Sequence, residues 1–245
     1  MKKFLNKIKI HPLFIITIFV FVLIGKFKLI FYYTLLLIIH EIGHILTSLL
    51  FNWNMKEIML LPFGGLIKFN EKLNKPLIEE LLISISGIII QYIFYLFTCN
   101  LINYEYYPFI NYFIIIFNLM PIYPLDGSKI LNVVFNYKGT FYRSLRITIL
   151  LSYILINIIF IITFNINKML SLIIYFLLIE VYKLDKNKEI VFDKFLLERY
   201  LYDIYFKKRK TINNIKEMKR DYKHILNINN KYITEREYLK KRFDK

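Results

Sequence analysis

The chain has 245 residues, 57% of them hydrophobic, with a positive mean hydropathy, which excludes a single soluble domain and fits a polytopic membrane protein. Its formal charge of +16 is uneven: from Lys183 onward 19 Lys and Arg face 10 Asp and Glu, and the long apolar runs stop. Residues 1–182 are therefore read as a membrane domain and 183–245 as a basic soluble tail, and the lone Cys99 excludes an internal disulfide.

A membrane-crossing helix needs about 20 apolar residues. The first candidate run, 8–25, follows a basic start as a signal peptide would, but lacks a small-residue cleavage site and is read as a retained helix. The second, 29–50, holds 13 Leu, Ile and Phe residues, interrupted by His40, Glu41 and His44. Those apolar residues favour insertion by roughly 4–8 kcal/mol, whereas three charged groups at the bilayer centre would cost roughly 7–10 kcal/mol. The segment cannot simply face lipid; its polar groups must pair inside a bundle or bind something.

The spacing says what. His40 and His44 stack on one helical face and can share a metal ion, with Glu41 placed to take a proton from water at that ion. This is the H-E-x-x-H helix of zinc hydrolases, against which stands a satisfied polar cluster without metal. Two histidines leave zinc short of a third protein ligand.

"LLPFGGLIKF" comes next, its Gly64-Gly65 pair compatible with a surface turn. Runs at 78–98 and 108–126 follow, the latter ending in "NLMPIYPLDG". Asp126 is the best carboxylate candidate for the third ligand, with Gly127 letting the chain turn close to the metal; the bland alternative is a helix N-cap for 128–135. His11 and His224 lie near the chain's ends and are read as ordinary residues. The last runs are 147–164 and 169–182.

Six spans put both termini on one side. That side would hold Lys2, Lys3, Lys7 and Lys9, then Lys56, Lys68, Lys72 and Lys75, then Lys129, Lys138, Arg143 and Arg146, then the tail; the other side would hold Lys26, Lys28 and Lys168. By the positive-inside rule both termini are expected in the cytoplasm, with His40–His44 and "NLMPIYPLDG" at one cytoplasmic depth. The expected fold is an all-α membrane protein of about six helices, with the metal site between spans two and four.

Together, "HEIGH" and "NLMPIYPLDG" resemble the site-2 protease family of intramembrane zinc metalloproteases, whose pattern is His-Glu-x-x-His and then Asn-x-x-Pro-x-x-x-x-Asp-Gly. His40, Glu41, His44, Asn118, Pro121, Asp126 and Gly127 match it position by position. The resemblance implies one zinc ion held by His40, His44 and Asp126, Glu41 as general base, and Asn118 with Pro121 at the substrate. It also implies that Gly64 and Gly65 belong to a re-entrant loop that pairs with extended substrate, and that "SISGIIIQ" is the family's small-residue segment. Six spans with a basic tail most resemble the stage IV sporulation protein FB branch. That branch implies a bacterial multi-pass protein cutting a membrane-associated sigma-factor precursor, pro-sigma K, under an inhibitory membrane-protein partner. An anti-sigma factor is the alternative substrate, and self-association is left open. The tail is too short for a pair of CBS motifs, though "YKHILNINNKYITEREYLKKRF" fits one reduced motif of strand, turn and charged helix.

A zinc transporter would spread polar groups along a path through the bilayer, whereas here they cluster at one depth. A non-catalytic scaffold would not require Glu41. Nucleic acid is not expected as a partner: the tail's charge is interspersed with acids and with apolar residues such as Ile204, Phe206 and Ile212, and it carries no stacking motif.

Overall fold

A computed structural model of the chain describes residues 8–62, 64–69, 73–163, 168–202, 204–206, 208–228 and 231–244. Lys2, Lys3, Lys7 and Lys72 of the expected cytoplasmic charge, Phe63 before the glycine pair, residue 164 of the fifth run, and Asn229 and Asn230 of the reduced-motif stretch lie outside the described residues. The chain forms two compact units.

The first unit comprises Met1–Glu71, Leu82–Met120 and Leu125–Gly127. In chain order its elements are β1 (Ile8–Ile10), α1 (Pro12–Leu23), α2 (Phe27–Leu50), β2 (Met55–Leu61), β3 (Gly64–Phe69), most of α3 (Leu77–Thr98), α4 (Tyr107–Leu119) and the first residues of α5 (Asp126–Lys138). Helix α2 buries Leu36, Leu37, His40, Glu41, His44 and Ser48, while Phe31, Ile38, Ile42, Leu46 and Leu49 are exposed. Its polar stripe faces protein and its apolar stripe faces outward, the arrangement a lipid solvent selects. At the far end, Leu36, Tyr95, Tyr107, Ile110 and Ile114 form a core against which Tyr32 and Tyr104 stack, ring centroids 5.2 Å apart. The tyrosines there serve packing.

Strand β2 buries Met55, Ile58 and Leu61, pairs in parallel with β1, and is antiparallel to β3 with Leu60 opposite Gly65 and Leu61 opposite Gly64. The all-α expectation is thus amended: among the described residues helices dominate, and two three-stranded sheets accompany them. The short strands escape a search for apolar runs because none exceeds seven residues, against about 20 for a span, and each is defined by its partners.

A helix occupies each of the six expected runs, and three of them, Phe27–Leu50, Leu77–Thr98 and Phe141–Ile162, are long and apolar enough among the described residues to cross a membrane. Helix α4 has 13 residues, about 20 Å of rise against a hydrocarbon layer of about 30 Å. It stops at Leu119 because Pro121 forces its predecessor out of the helical region, and Met120 sits at ψ 131°.

The second unit comprises Lys72–Leu81, Pro121–Pro124 and Ser128–Lys245. It holds the rest of α5, then α6 (Phe141–Thr163), α7 (Lys168–Lys186), α8 (Lys188–Leu201), β4 (Lys208–Ile212), β5 (Tyr222–Ile228), β6 (Lys231–Thr234) and α9 (Glu235–Phe243). β4 runs parallel to β5 and β6 antiparallel to it, and Thr234 with Glu237 forms a capping box for α9. Phe141, Phe192, Phe195, Leu196, Met218, Leu226 and Leu239 make the core, Phe141 stacking on Phe195 with centroids 4.2 Å apart.

Arg199 is buried beside that core. Its Nε donates to Asn74 Oδ1 at 2.7 Å, Nη1 to the Tyr222 carbonyl at 2.9 Å and Glu235 Oε1 at 3.0 Å, and Nη2 to the Lys219 carbonyl at 2.8 Å. The Phe195 and Phe206 rings lie 4.8 and 4.5 Å from the guanidinium carbon. A buried cation is tolerated when its donors are met and a carboxylate neutralises it, and here both hold.

Candidate metal centre

The centre starts from a helix period. His40 and His44 lie one turn apart on α2 with their Nε2 atoms 3.1 Å apart, 0% and 5% exposed. Asp126, the first residue of α5, brings Oδ2 to 3.1 Å from His40 Nε2 and 2.9 Å from His44 Nε2. Among the described residues this is the group of His, Cys and acidic side chains assembled with metal-ligand geometry, all three buried.

Helix α3 decides how the imidazoles present themselves. His44 Nδ1 lies 2.7 Å from the Ile83 carbonyl, which can only accept, so that nitrogen carries hydrogen. His40 Nδ1 lies 3.0 Å from Gln91 Oε1, and the Gln91 amide is oriented by its own donation to the Asn111 carbonyl and Oδ1 at 3.2 and 3.0 Å. With both Nδ1 atoms donating, neutral imidazoles turn the lone pairs of both Nε2 atoms towards each other and towards the Asp126 carboxylate. Three acceptors converging at 2.9–3.1 Å repel unless a cation lies between them. Ligands spaced tetrahedrally at zinc–nitrogen distance stand about 3.3 Å apart, so the donor set fits zinc with one further position for water or substrate.

Close approach of α2 and α3 depends on two glycines. A Cβ at Gly43 would lie 2.7 Å from the Ser86 carbonyl oxygen; one at Gly87 would collide with His44 Nε2 and come within 2.9 Å of His40 Nε2. Ser86 Oγ, its single hydrogen shared between the Ile83 carbonyl at 2.7 Å and the Gly43 carbonyl at 3.1 Å, sits at the crossing.

The sheet delivers a second set. Gly65 N–H donates to Glu41 Oε1 at 2.6 Å, and Glu41 Oε2 is buried without a hydrogen-bond partner. A Cβ at Gly65 would overlap the Glu41 carboxylate, and one at Gly64 would lie 3.1 Å from Asn118 Oδ1. Asn118 Nδ2 donates back to the Ile114 carbonyl at 3.0 Å, which leaves Oδ1 directed at the strand. The glycines open β3 rather than forming the turn itself. Pro121 acts through the backbone, by ending α4 so that the chain can re-enter as α5 at Asp126.

His11 and His224 stand elsewhere. His11 Nδ1 accepts from Leu13 N–H and caps α1, and His224 is buried among Arg199, Lys219 and Glu235. Sequence reasoning assigned no role to Gln91, to the Ile83 carbonyl or to Asn111. A signal existed for Gln91, a lone amide in the apolar stretch 81–98, where a polar side chain implies a partner.

Residues 28–107 match the model of Peptidase family M50. The chain is 31% identical over 208 residues to stage IV sporulation protein FB of Bacillus subtilis (strain 168), covering 79% of this chain and 71% of that one. It is 29% identical over 121 residues to a zinc metalloprotease of Methanocaldococcus jannaschii, covering 45% of this chain and 35% of that one. Its fold is similar to that of the site-2 protease from Methanocaldococcus jannaschii, with a TM-score of 0.60 and 22% identity, covering 72% of this chain and 89% of that one. A buried His-His-Asp donor set on apolar helices, joined to this degree of likeness, makes the chain a member of peptidase family M50, the site-2 proteases, and a zinc metalloprotease of the membrane.

Proposed function

We propose that the protein cuts a peptide bond in the membrane-associated segment of a sigma-factor precursor of the pro-sigma K kind, during endospore formation. The observation that carries the chemistry is the convergence of His40 Nε2, His44 Nε2 and Asp126 Oδ2, three acceptors that need a cation. Zinc in this position supplies Lewis acidity to the scissile carbonyl and to water.

The chain's own groups do the rest. Glu41 is the general base: Gly65 N–H occupies Oε1, so Oε2 is the oxygen free to take a proton from water and return it to the leaving amine. Ile83 and Gln91 hold the ligand imidazoles in one tautomer and orientation. Asn118 helps hold the substrate: its Oδ1 faces β3 and can accept from a substrate N–H, the Nδ2 hydrogen not given to the Ile114 carbonyl is the one left for a developing oxyanion, and Pro121 shapes the adjoining backbone. Gly64 and Gly65, without side chains, leave room for an extended substrate segment along β3, in keeping with the need for unwound backbone at the scissile bond.

The topology supporting this reading has six spans over 1–182, a basic tail over 183–245 and both termini in the cytoplasm, from the Lys and Arg asymmetry. The tail's parallel strand pair, hairpin and capped helix suit one reduced CBS-like motif, and its excess of cations suits a role in holding the soluble part of the precursor near the bilayer. A membrane partner that covers the site until signalled completes the scheme. Co-expression with a membrane-tethered pro-sigma K tests it: the intact protein yields the shortened product and Glu41→Gln does not. Equal processing by both removes Glu41 from the mechanism, and no processing of this precursor by the intact protein redirects the substrate to another class, such as an anti-sigma factor.

A further inference from the structure

Away from the metal centre, the second unit contains a cavity of about 400 Å³ whose lining includes Arg143, Arg146, Lys188, Lys216, Tyr153 and Asp185. Four cations there face one carboxylate. The neighbouring pairings account for only part of that charge: Lys188 Nζ lies 2.9 Å from Asp185 Oδ1, and Lys216 Nζ lies 3.4 Å from Glu189 Oε1 and 4.3 Å from the Tyr142 ring centroid. The Tyr142 hydroxyl also donates to Glu189. Among the described residues, neither guanidinium of Arg143 and Arg146 has a hydrogen bond or ion-pair partner. Two guanidinium forks beside a concave wall with tyrosine and lysine donors are complementary to a phosphate.

The same face of α6 says what the phosphate is attached to. Arg143 and Arg146 are followed at helical spacing by Leu150, Ile154, Ile158 and Ile161, all exposed. The stripe passes from cationic to apolar along a helix long enough to cross a membrane. A free phosphate ion would use the first part alone. A phospholipid uses both, its headgroup in the cavity and an acyl chain along the leucine and isoleucines.

We infer that this cavity is a binding site for the headgroup of an anionic phospholipid, and that the lipid seats the start of α6 at the membrane surface. Cations close to an anionic bilayer surface each strengthen association about fivefold, so removing Arg143 and Arg146 together should weaken it roughly 30-fold.

The test uses the full chain, purified in a neutral detergent, with native mass spectrometry as readout of retained lipid. It is titrated separately with phosphatidylglycerol, with phosphatidylcholine and with inorganic phosphate. Phosphatidylglycerol should bind, phosphatidylcholine should bind far more weakly, and Arg143→Ala with Arg146→Ala should shift the phosphatidylglycerol midpoint by that factor. Lys240→Ala with Lys241→Ala, two exposed lysines of α9, should leave it in place. The Arg143→Lys, Arg146→Lys protein keeps the charge but loses the forks, so its midpoint should lie between those of the unaltered and double alanine proteins, and unchanged protease resistance of the second unit reports that all variants are folded. Equal retention of both lipids, or unchanged phosphatidylglycerol binding in the double alanine variant, overturns the proposal. Inorganic phosphate binding as tightly as phosphatidylglycerol, with the same sensitivity, assigns the cavity to a soluble anion and overturns the lipid assignment.

Discussion

Gly65 and Glu41 meet backbone to side chain: the amide of the second strand glycine donates to one carboxylate oxygen at 2.6 Å and leaves the other buried without a partner. The general base proposed for Glu41 has to be held in place and yet keep one oxygen available, and this contact is compatible with both. It also makes the glycine a sensitive position. Gly65→Ala would drive a methyl group into the Glu41 carboxylate. Cleavage should fall about 10²-fold, the cost of displacing a reacting group by about an ångström, while bound zinc measured by metal analysis stays at the wild-type level. Wild-type cleavage by Gly65→Ala would mean the strand is not where Glu41 is positioned.

Zinc should bind at about one ion per chain, as a single closed donor set requires. His44→Ala should lose it. Gln91→Ala keeps all three ligands and removes the acceptor for His40 Nδ1, so the zinc dissociation constant should rise roughly 10–100-fold. Competition against a chromogenic chelator measures both. Removing zinc with a stronger chelator should abolish cleavage and adding it back should restore it.

In the second unit, Arg199 is the cation on which several chain segments converge. Arg199→Ala removes the Arg199 donor from Glu235 Oε1 and from the carbonyls of Tyr222 and Lys219, and should destabilise this unit by roughly 3–5 kcal/mol, as breaking a buried pair does. Limited proteolysis of the full-length protein should then cut within β4 to α9. Protease resistance equal to that of the unaltered protein would show that the pair is dispensable.

Acid should loosen the same region. Burial pushes the His224 imidazole below its usual value of 6.5, the Arg199 charge adds to this, and the Glu235 hydrogen bond opposes it. Burial by itself would raise Glu235, but hydrogen bonds from His224 and Arg199 and the Arg199 charge outweigh it and hold the carboxyl below 4.5. Both groups take up protons more readily when unfolded, so stability is present above their unfolded values and falls with pH. The histidine contribution is lost first, as pH drops below 6.5, and the glutamate contribution follows below 4.5. Amide exchange in β5 and α9, corrected for intrinsic rates, should show protection falling through the first window. His224→Asn should flatten that step and leave a reduced lower one, held by Arg199.

The cluster of His40, Glu41 and His44 on α2 was legible because it is local. A four-residue separation places two imidazoles on one face whatever surrounds the helix, and apolar neighbours make the polar residues conspicuous. Asp126 was legible through its Pro-rich, Gly-flanked setting, since prolines end α4 and permit the chain to turn back. The long apolar runs likewise marked helices able to cross a membrane, as each depends on composition along a single segment.

What the tertiary structure decided is everything that rests on two segments meeting. Which imidazole nitrogen faces the metal is set by Ile83 and Gln91, some 40 to 50 positions away, through a helix crossing in which a Cβ at Gly43 or Gly87 would clash. The strands needed their partners: seven residues at Met55–Leu61 become a strand by pairing with Ile8–Ile10 and Gly64–Phe69, and Glu41 gains its amide donor from that sheet. Helical periodicity and hydropathy are properties of consecutive residues and can be read along the chain. The orientation of a ligand and the freedom of a base depend on hydrogen bonds between distant segments, and those exist only once the helices and strands have packed.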